Sequence, residues 1–179
     1  EEYVAILFDP NSLADIHITV PLDQWNALLA AYDKDSRTKD YVSCDVRYVK
    51  DHKFTTVTNV GLRLKGNTSR RRPETGDRVH VTPGTSWHHA HFGLNFVKFN
   101  TDASHTLHGA KKLSLKWFKD DPSYVREPFC YDLFRRFGVW TAVCTSYVRL
   151  YLKVEGDGEE TYFGVYELCE PIDKPYLAG

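Results

Sequence analysis

The segment that begins at residue 63 combines residue types that bind anions. It consists of Arg63, Leu64, Lys65, Gly66, Asn67, Thr68, Ser69 and Arg70. Backbone N–H groups around a glycine can point at phosphate oxygens, hydroxyl groups can donate to them, and a guanidinium group can bind them in bidentate fashion. We therefore predict an anion-binding loop at 66–70. Because the GxGxxG and GxxxxGK[ST] spacings are absent, a solvated basic hairpin tip is the alternative interpretation.

A pair of histidines is the second group that could do chemistry. His89 and His91 are two residues apart, so on one strand they would share a face and could both bind a metal ion. No carboxylate or cysteine at metal-ligand spacing completes such a site. We expect an ordinary histidine pair that is exposed or partly buried, and no metal site.

The four cysteines give little guidance about the cellular compartment. Cys44, Cys130, Cys144 and Cys169 are widely spaced and form no CxxC pair. We expect buried free thiols, while two disulfides of unknown pairing are the alternative for an exported protein.

Composition limits the class of protein. A chain of 179 residues with 42% hydrophobic residues can bury one core, so we expect a single domain over 1–179. Its net charge of -1 provides no positive field for nucleic acid. No apolar run approaches the roughly 20 residues that a membrane span needs.

Periodicity predicts an α+β fold with a mostly antiparallel sheet and two main helices. The predicted strands are 15–20, 41–49, 54–64, 91–99, 111–118, 145–153 and 161–169. The predicted helices are 22–32 and 121–138, and the second is expected to have Asp121 as its N-cap and Pro122 in its first turn. A long surface loop is expected over 66–87, and 173–179 is expected to begin another element. The aromatic residues at strand spacing are expected to build a core, with a glycan-binding platform as the alternative.

Three blocks resemble one known family in order and spacing. They are RLKGNTSRRRPE at 63–74, KKLSLKWFKDDPSYVREPFCYDLFRRFGV at 111–139 and YFGVYELCEPID at 162–173. Together they resemble the CotH (spore-coat protein H) kinase-like family from Ile16 onward. The resemblance implies a fold like the N-terminal lobe of an atypical protein kinase. It also implies phosphorylation of protein hydroxyl groups that depends on ATP and Mg²⁺.

The resemblance also implies roles for particular residues. The 66–70 loop would cover the nucleotide phosphates, the helix at 121–138 would lie beside the site, and Glu170 in a hinge-like segment would bind the ribose. The predicted cofactor-binding residues are Arg63, Lys65, Gly66, Asn67, Ser69, Arg70, Lys98, Glu127, Glu167 and Glu170. An alternative for Glu127 is a favourable charge in the first helical turn, and for Glu167 a salt bridge at a strand edge.

The chain departs from the family pattern at the lysine that would bind the phosphates. We match the strand that carries it to 91–100, where Lys98 is the only lysine. The role therefore falls to Lys98, Lys65 or Arg63, or is lost.

The resemblance places the catalytic aspartates of the family after the hinge-like segment. We therefore expect the chain to be the N-terminal part of a longer CotH kinase-like domain that cannot catalyse phosphoryl transfer alone. Its catalytic residues stay unknown. The alternative is a non-catalytic secreted or coat module that binds a protein or a glycan. The resemblance also implies a location outside the cell, at the cell surface or in a spore coat.

Overall fold

Strands make up most of the described chain. The structure is a computed structural model that describes residues 2–76, 79–81 and 86–172. The helices are α1 (Glu2–Leu7), α2 (Leu22–Lys34) and α3 (Arg126–Arg136). The strands are β1 (Ala14–Val20), β2 (Val42–Lys50), β3 (Lys53–Lys65), β4 (Glu74–Thr75), β5 (Ser86–Trp87), β6 (His91–Asn95), β7 (Lys112–Lys116), β8 (Thr145–Val154) and β9 (Thr161–Cys169).

The long strands form a closed barrel in the order β1-β2-β3-β6-β7-β9-β8. Neighbouring strands are antiparallel except β1 and β8, which are parallel and close the barrel. Ile16 of β1 pairs with Leu150 of β8, and both side chains are buried. Burial alternates along β1 and β8, because successive side chains of a strand point to opposite faces. The barrel interior is therefore the hydrophobic core.

Helix α2 agrees with the predicted helix at 22–32. Its apolar stripe buries Trp25, Leu28 and Leu29 against the barrel core. Pro21 lies immediately before the helix, where its fixed φ is compatible with a helix start. The Trp25 ring meets Trp87 of β5 edge-on, with ring centroids 5.7 Å apart. Helix α2 thereby connects the barrel to the segment that follows β3.

Helix α3 is shorter than the predicted helix at 121–138, and its side chains are not buried. It begins at Arg126, and Asp121 lies outside it. The Asp121 carboxylate instead accepts hydrogen bonds from the backbone N–H groups of Ser123, Val125 and Arg126, so it organises the turn that precedes the helix. None of the α3 residues is buried. The apolar stripe of this helix therefore does not contribute to the core.

The predicted α+β class, with a resemblance to the N-terminal lobe of a kinase, is wrong. The described residues form a seven-stranded closed mixed barrel with short helices on its outside. The alternation of polar and apolar residues located the strands, but it carries no signal for the parallel β1–β8 contact between the two ends of the chain. That contact converts an open sheet into a barrel.

Several element bounds also differ from the prediction. Strand β6 ends at Asn95, so the predicted strand at 91–99 is too long. The predicted loop at 66–87 contains the two-stranded sheet β4-β5. The predicted element at 173–179 lies outside the described residues.

The cysteines differ in their burial. Cys44 and Cys169 are buried thiols, as expected, whereas Cys130 is exposed.

Within the described residues, no helix has both the length and the apolar character needed to cross a membrane.

Candidate functional site

The candidate site lies on the outer face of the barrel, across β3, β6, β7 and β9. Leu64 and Leu115 point into the core. Because side chains alternate along a strand, Lys65 and Lys116 lie on the opposite, outward face. The strand alternation thus places two lysines from distant parts of the sequence on one surface.

Lys65 reaches across β6 because Gly93 has no side chain. A Cβ atom added at Gly93 would lie only 2.8 Å from Cδ of Lys65. Beyond Gly93, the Lys65 ammonium donates a hydrogen bond of 2.6 Å to the Ser114 hydroxyl on β7. Burial, followed by the positive charge of Arg63, lowers the pKa of Lys65. The lysine is therefore held in one place beside a second cation.

The 66–70 loop folds over one end of this face. Gly66 has a φ of 104°, which side-chain-bearing residues rarely adopt, and a Cβ there would lie 2.8 Å from the Arg70 backbone nitrogen. The Arg70 guanidinium donates to the carbonyl oxygens of Thr38 at 2.6 Å and Gly66 at 3.1 Å. Arg70 therefore ties the loop to the segment after α2 as well as adding charge.

A cleft of about 590 Å³ opens between the sheet, the 66–70 loop and α3. The cationic residues that line it are Lys39, Arg63, Lys65, Arg70 and Lys116. Among its described lining residues, Glu170 is the only carboxylate. Convergent cations with few compensating carboxylates favour an anionic ligand, because such a ligand relieves their mutual repulsion.

A cluster of charged groups joins α3 to the edge of the cleft. Lys116 forms an ion pair with Glu127 of α3, and the Tyr131 hydroxyl donates a hydrogen bond of 3.3 Å to the same carboxylate. Glu167 of β9 lies directly opposite Lys116 in the β7–β9 register. Burial, and then the charge of Glu127, raises the pKa of Glu167 to about 8. Lys116, Glu127 and Glu167 therefore lie together at the edge of the cleft.

His91 lines the cleft as a neutral side chain. Its Nδ1 accepts a hydrogen bond of 2.8 Å from the backbone N–H of Trp117, so the proton of a neutral ring resides on Nε2. Burial, followed by the charge of Lys116, lowers the pKa of His91 to about 4. At neutral pH this residue can donate a hydrogen bond from Nε2 without adding charge.

The two histidines noted in the sequence do not act as a pair. His89 precedes β6, and its Nε2 lies 2.7 Å from the carbonyl oxygen of Phe163. His91 is engaged by Trp117 as described above. Across the residues that the structure describes, no group of three or more His, Cys, Asp or Glu side chains could hold a metal ion.

The structure brings most of the predicted cofactor-binding residues to one place. Those that line the cleft are Arg63, Lys65, Gly66, Asn67, Ser69, Arg70 and Glu170. Glu127 and Glu167 adjoin it through Lys116. Lys98 does not line the cleft: it follows the end of β6, and its ammonium lies 5.2 Å from the centre of the Tyr41 ring, which the Arg63 guanidinium also approaches at 5.5 Å.

Sequence reasoning missed several residues of the cleft, above all Lys116. Lys116 and Ser114 alternate with Leu113 and Leu115, so their outward direction was available from the strand period. The missing information was that β7 lies beside β6, and that Gly93 of β6 leaves space for the Lys65 side chain to cross β6 and reach β7. No local signal in the sequence provides that adjacency.

The fold and the site together define a β-barrel protein with a cleft on its outer surface that is lined by cationic side chains. Residues 62–179 match the sequence model of the family described as CotH kinase protein. The match spans more than half of the chain, and the chain therefore belongs to the CotH kinase family. The resemblance found in the three sequence blocks is thus confirmed, and membership indicates a kinase-like function. No curated protein matches the chain.

Proposed function

We propose that the cleft binds the phosphate groups of ATP and that the chain takes part in kinase-like phosphorylation of protein hydroxyl groups. The observation that supports this most is the convergence of five cationic side chains on one cleft, within a member of a kinase family. Catalysis of phosphoryl transfer depends on positioning and on compensation of the phosphate charge. The cleft offers residues suited to both tasks.

Particular residues suit particular parts of the nucleotide. Lys65, held by the Ser114 hydroxyl, and Lys116, held by Glu127, would compensate the charge of the phosphates. Backbone N–H groups of the 66–70 loop would add donors. Glu170, whose carboxylate accepts a hydrogen bond of 2.5 Å from the Tyr3 hydroxyl, would face the ribose.

The described residues fit the phosphates better than they fit a metal ion. Among the residues that the structure describes, no cluster of three or more metal-binding side chains could hold Mg²⁺. When bound with ATP, Mg²⁺ supplies charge compensation on the phosphate oxygens.

Calorimetric titration of the chain with ATP and Mg²⁺ tests the proposal. The two informative variants are Lys65→Met in the cleft and Lys53→Met at the far end of the same strand. A charge-assisted contact contributes about 1.5–3 kcal/mol, so Lys65→Met should weaken binding about tenfold to 100-fold. Lys53 is exposed at the opposite end of β3 from Lys65, so Lys53→Met should change affinity by less than about twofold.

The Lys53 variant serves as a matched control for the loss of one lysine charge. Equal weakening by both variants would mean that binding responds to net charge rather than to the cleft. Absence of binding by the folded wild-type chain would contradict the proposal outright. A circular dichroism spectrum of each variant separates loss of binding from loss of fold.

One observation favours a second function, that of a protein-interaction module at the cell surface. The α3 region exposes large apolar side chains, including Phe129, Phe134, Phe137 and Trp140, with exposed fractions of 79% for Phe137 and 82% for Trp140. Apolar patches of this kind often mark protein interfaces. A folded chain that binds no ATP, but whose self-association in ultracentrifugation is abolished by a Phe137→Ser, Trp140→Ser double variant, would favour this function.

A further inference from the structure

The Glu167 side chain occupies an unusual position for an acidic residue. It is only 1% exposed, and among the described residues no hydrogen-bond donor reaches its buried Oε1 atom. An ionised carboxylate left in that state would carry a large desolvation cost. The position therefore calls for a neutral side chain or a shared proton.

The neighbour of Glu167 provides a place for that proton. Glu127 and Glu167 both adjoin the same lysine: Glu127 is the ion-pair partner of Lys116, and Glu167 lies opposite Lys116 in the β7–β9 register. Because a carboxylate has no donor, two neighbouring carboxyl groups can form a hydrogen bond with each other only if one of them carries a proton. Glu127 is the ionised partner, since it also faces the Lys116 ammonium and the Tyr131 hydroxyl. Glu167 is then the protonated partner.

We infer that Glu167 is a positioning residue that keeps its proton, donates it in a hydrogen bond to Glu127 and thereby holds Glu127 in place as the partner of Lys116. In this arrangement Glu127 accepts from Lys116, Tyr131 and Glu167, so its oxygens are occupied by donors from three elements. The inference rests on the proposed function in one respect: the Lys116 ammonium held in this way would face the phosphates.

The surroundings of Glu167 determine how this arrangement responds to pH. The titratable groups that face it are Lys116 on β7, Glu127 and Tyr131 on α3, Tyr147 on β8 and Cys169 on its own strand. Loss of the Glu167 proton leaves two carboxylates beside one lysine. The two negative charges then exceed the positive charge of Lys116, and a phosphate group in the cleft is repelled by the added negative charge. Affinity for ATP should therefore fall as pH rises through about 8.

Infrared spectroscopy tests the shared proton without any nucleotide. At pH 7 exposed carboxyl groups are ionised, so the carbonyl stretch of a protonated acid should report Glu167. We expect this band in the wild-type chain and in the control Glu159→Gln, which changes an exposed glutamate. The band should be absent in Glu167→Gln and should disappear from the wild type with a midpoint near pH 8. A band that persists in Glu167→Gln, or is missing from the wild type at pH 7, would overturn the inference.

The pH profile of ATP affinity tests the positioning role. The wild-type chain should lose affinity on the order of tenfold between about pH 7 and pH 9, the effect of one added charge near the phosphates. Glu167→Gln keeps a hydrogen-bond donor and has no proton to lose, so it should bind like the wild type at pH 7 and lose little at pH 9. An equal loss in both proteins would assign the effect to another group, such as Lys65, and would refute the role. If neither protein binds ATP, the proposed function fails, while the infrared result still decides whether the proton is shared.

Discussion

At the scale of single residues, the position of Lys65 depends on a residue that carries no side chain. The stem of Lys65 crosses Gly93, and its ammonium ends on the Ser114 hydroxyl. Neither Gly93 nor Ser114 is a residue that sequence reasoning would assign to an anion site. The chemistry of Lys65 thus depends on its neighbours in space and not on its neighbours in the chain.

Gly93→Ala should therefore weaken ATP binding without removing any charge. The added Cβ would lie 2.8 Å from Cδ of Lys65, so the lysine must move away from Ser114. We expect about a tenfold loss of affinity in calorimetry, comparable to one charge-assisted contact. Gly158→Ala is the control, because a Cβ at Gly158 meets no atom within 4 Å. Unchanged affinity in Gly93→Ala would show that the position of Lys65 does not matter for binding.

The residues of the cleft were predictable where they follow one another in the chain. Residue types alone singled out the loop at 66–70, because glycine, hydroxyls and cations lie together there, and the structure places this loop at the cleft. Lys116 was not predicted, because it reaches the cleft through the β6–β7 pairing. Lys98 was proposed because the strand that begins at His91 was expected to continue to residue 99, yet β6 ends at Asn95.

At the scale of elements, a buried histidine connects three parts of the chain. His80 lies between two carboxylates, Glu74 of β4 at 3.0 Å from Nδ1 and Asp157 of the β8–β9 connection at 2.8 Å from Nε2. Its backbone N–H donates to Asn26 of α2, and Trp25 of the same helix donates to Glu74. Both ring nitrogens face acceptors, so the ring is positioned as a charged imidazolium.

This arrangement predicts a pH dependence of stability with a definite sign. Burial opposes the charged ring, but the hydrogen bonds from His80 to Asp157 and Glu74 outweigh it and raise its pKa above the usual 6.5. The stabilisation is therefore fully present below pH 6.5 and is lost as pH rises through the folded-state pKa. Urea titrations at a series of pH values from 6.5 upward should show that the free energy of unfolding of the wild type falls as pH rises.

His80→Gln should remove that pH-dependent contribution and lower the free energy of unfolding at pH 6 by about 2–4 kcal/mol, because it breaks a buried ion pair. His52→Asn is the control, since His52 is exposed in the β2–β3 turn and its φ of 63° suits asparagine. The account of His80 would be wrong if the variant and the wild type showed the same pH dependence.

Sequence patterns predicted most elements but not how each one packs. The period of 3.6 located α2, and its buried stripe agrees with the pattern. The same reasoning placed the start of α3 at Asp121, where the carboxylate does accept backbone N–H groups, but in a turn before the helix. The short strands β4 and β5 carry no periodic signal, because two residues are too few to show one.

At the scale of the whole molecule, the barrel and α3 contribute unequally to stability. Leu150 is fully buried in the barrel, whereas Leu133 of α3 is 36% exposed. Leu150→Ala should lower the free energy of unfolding by about 2–5 kcal/mol, the usual cost of a cavity in a core. Leu133→Ala should cost less than about 1 kcal/mol in the same urea titration. Similar losses of unfolding free energy in the two variants would mean that α3 belongs to the core, which would contradict this prediction.

Closure of the barrel is the feature that the sequence could not provide. Strand β1 pairs with β2, its neighbour in the chain, and also with β8, from which it is separated by more than 100 residues. Pairing between distant strands depends on the sum of many weak contacts, and no single motif specifies it. The closed barrel is nevertheless what gives β3, β6, β7 and β9 a continuous outer face for the cleft.

Hydrogen–deuterium exchange with and without ATP and Mg²⁺ is the most direct test of the central claim, that this outer face binds nucleotide phosphates. The account predicts that saturating ATP slows amide exchange in peptides covering 63–70 and 112–116. Exchange in β1, which is separated from the strands of the cleft by β2 on one side and β8 on the other, should not change. Protection confined to segments outside the cleft, or no protection at saturating ATP, would contradict the claim.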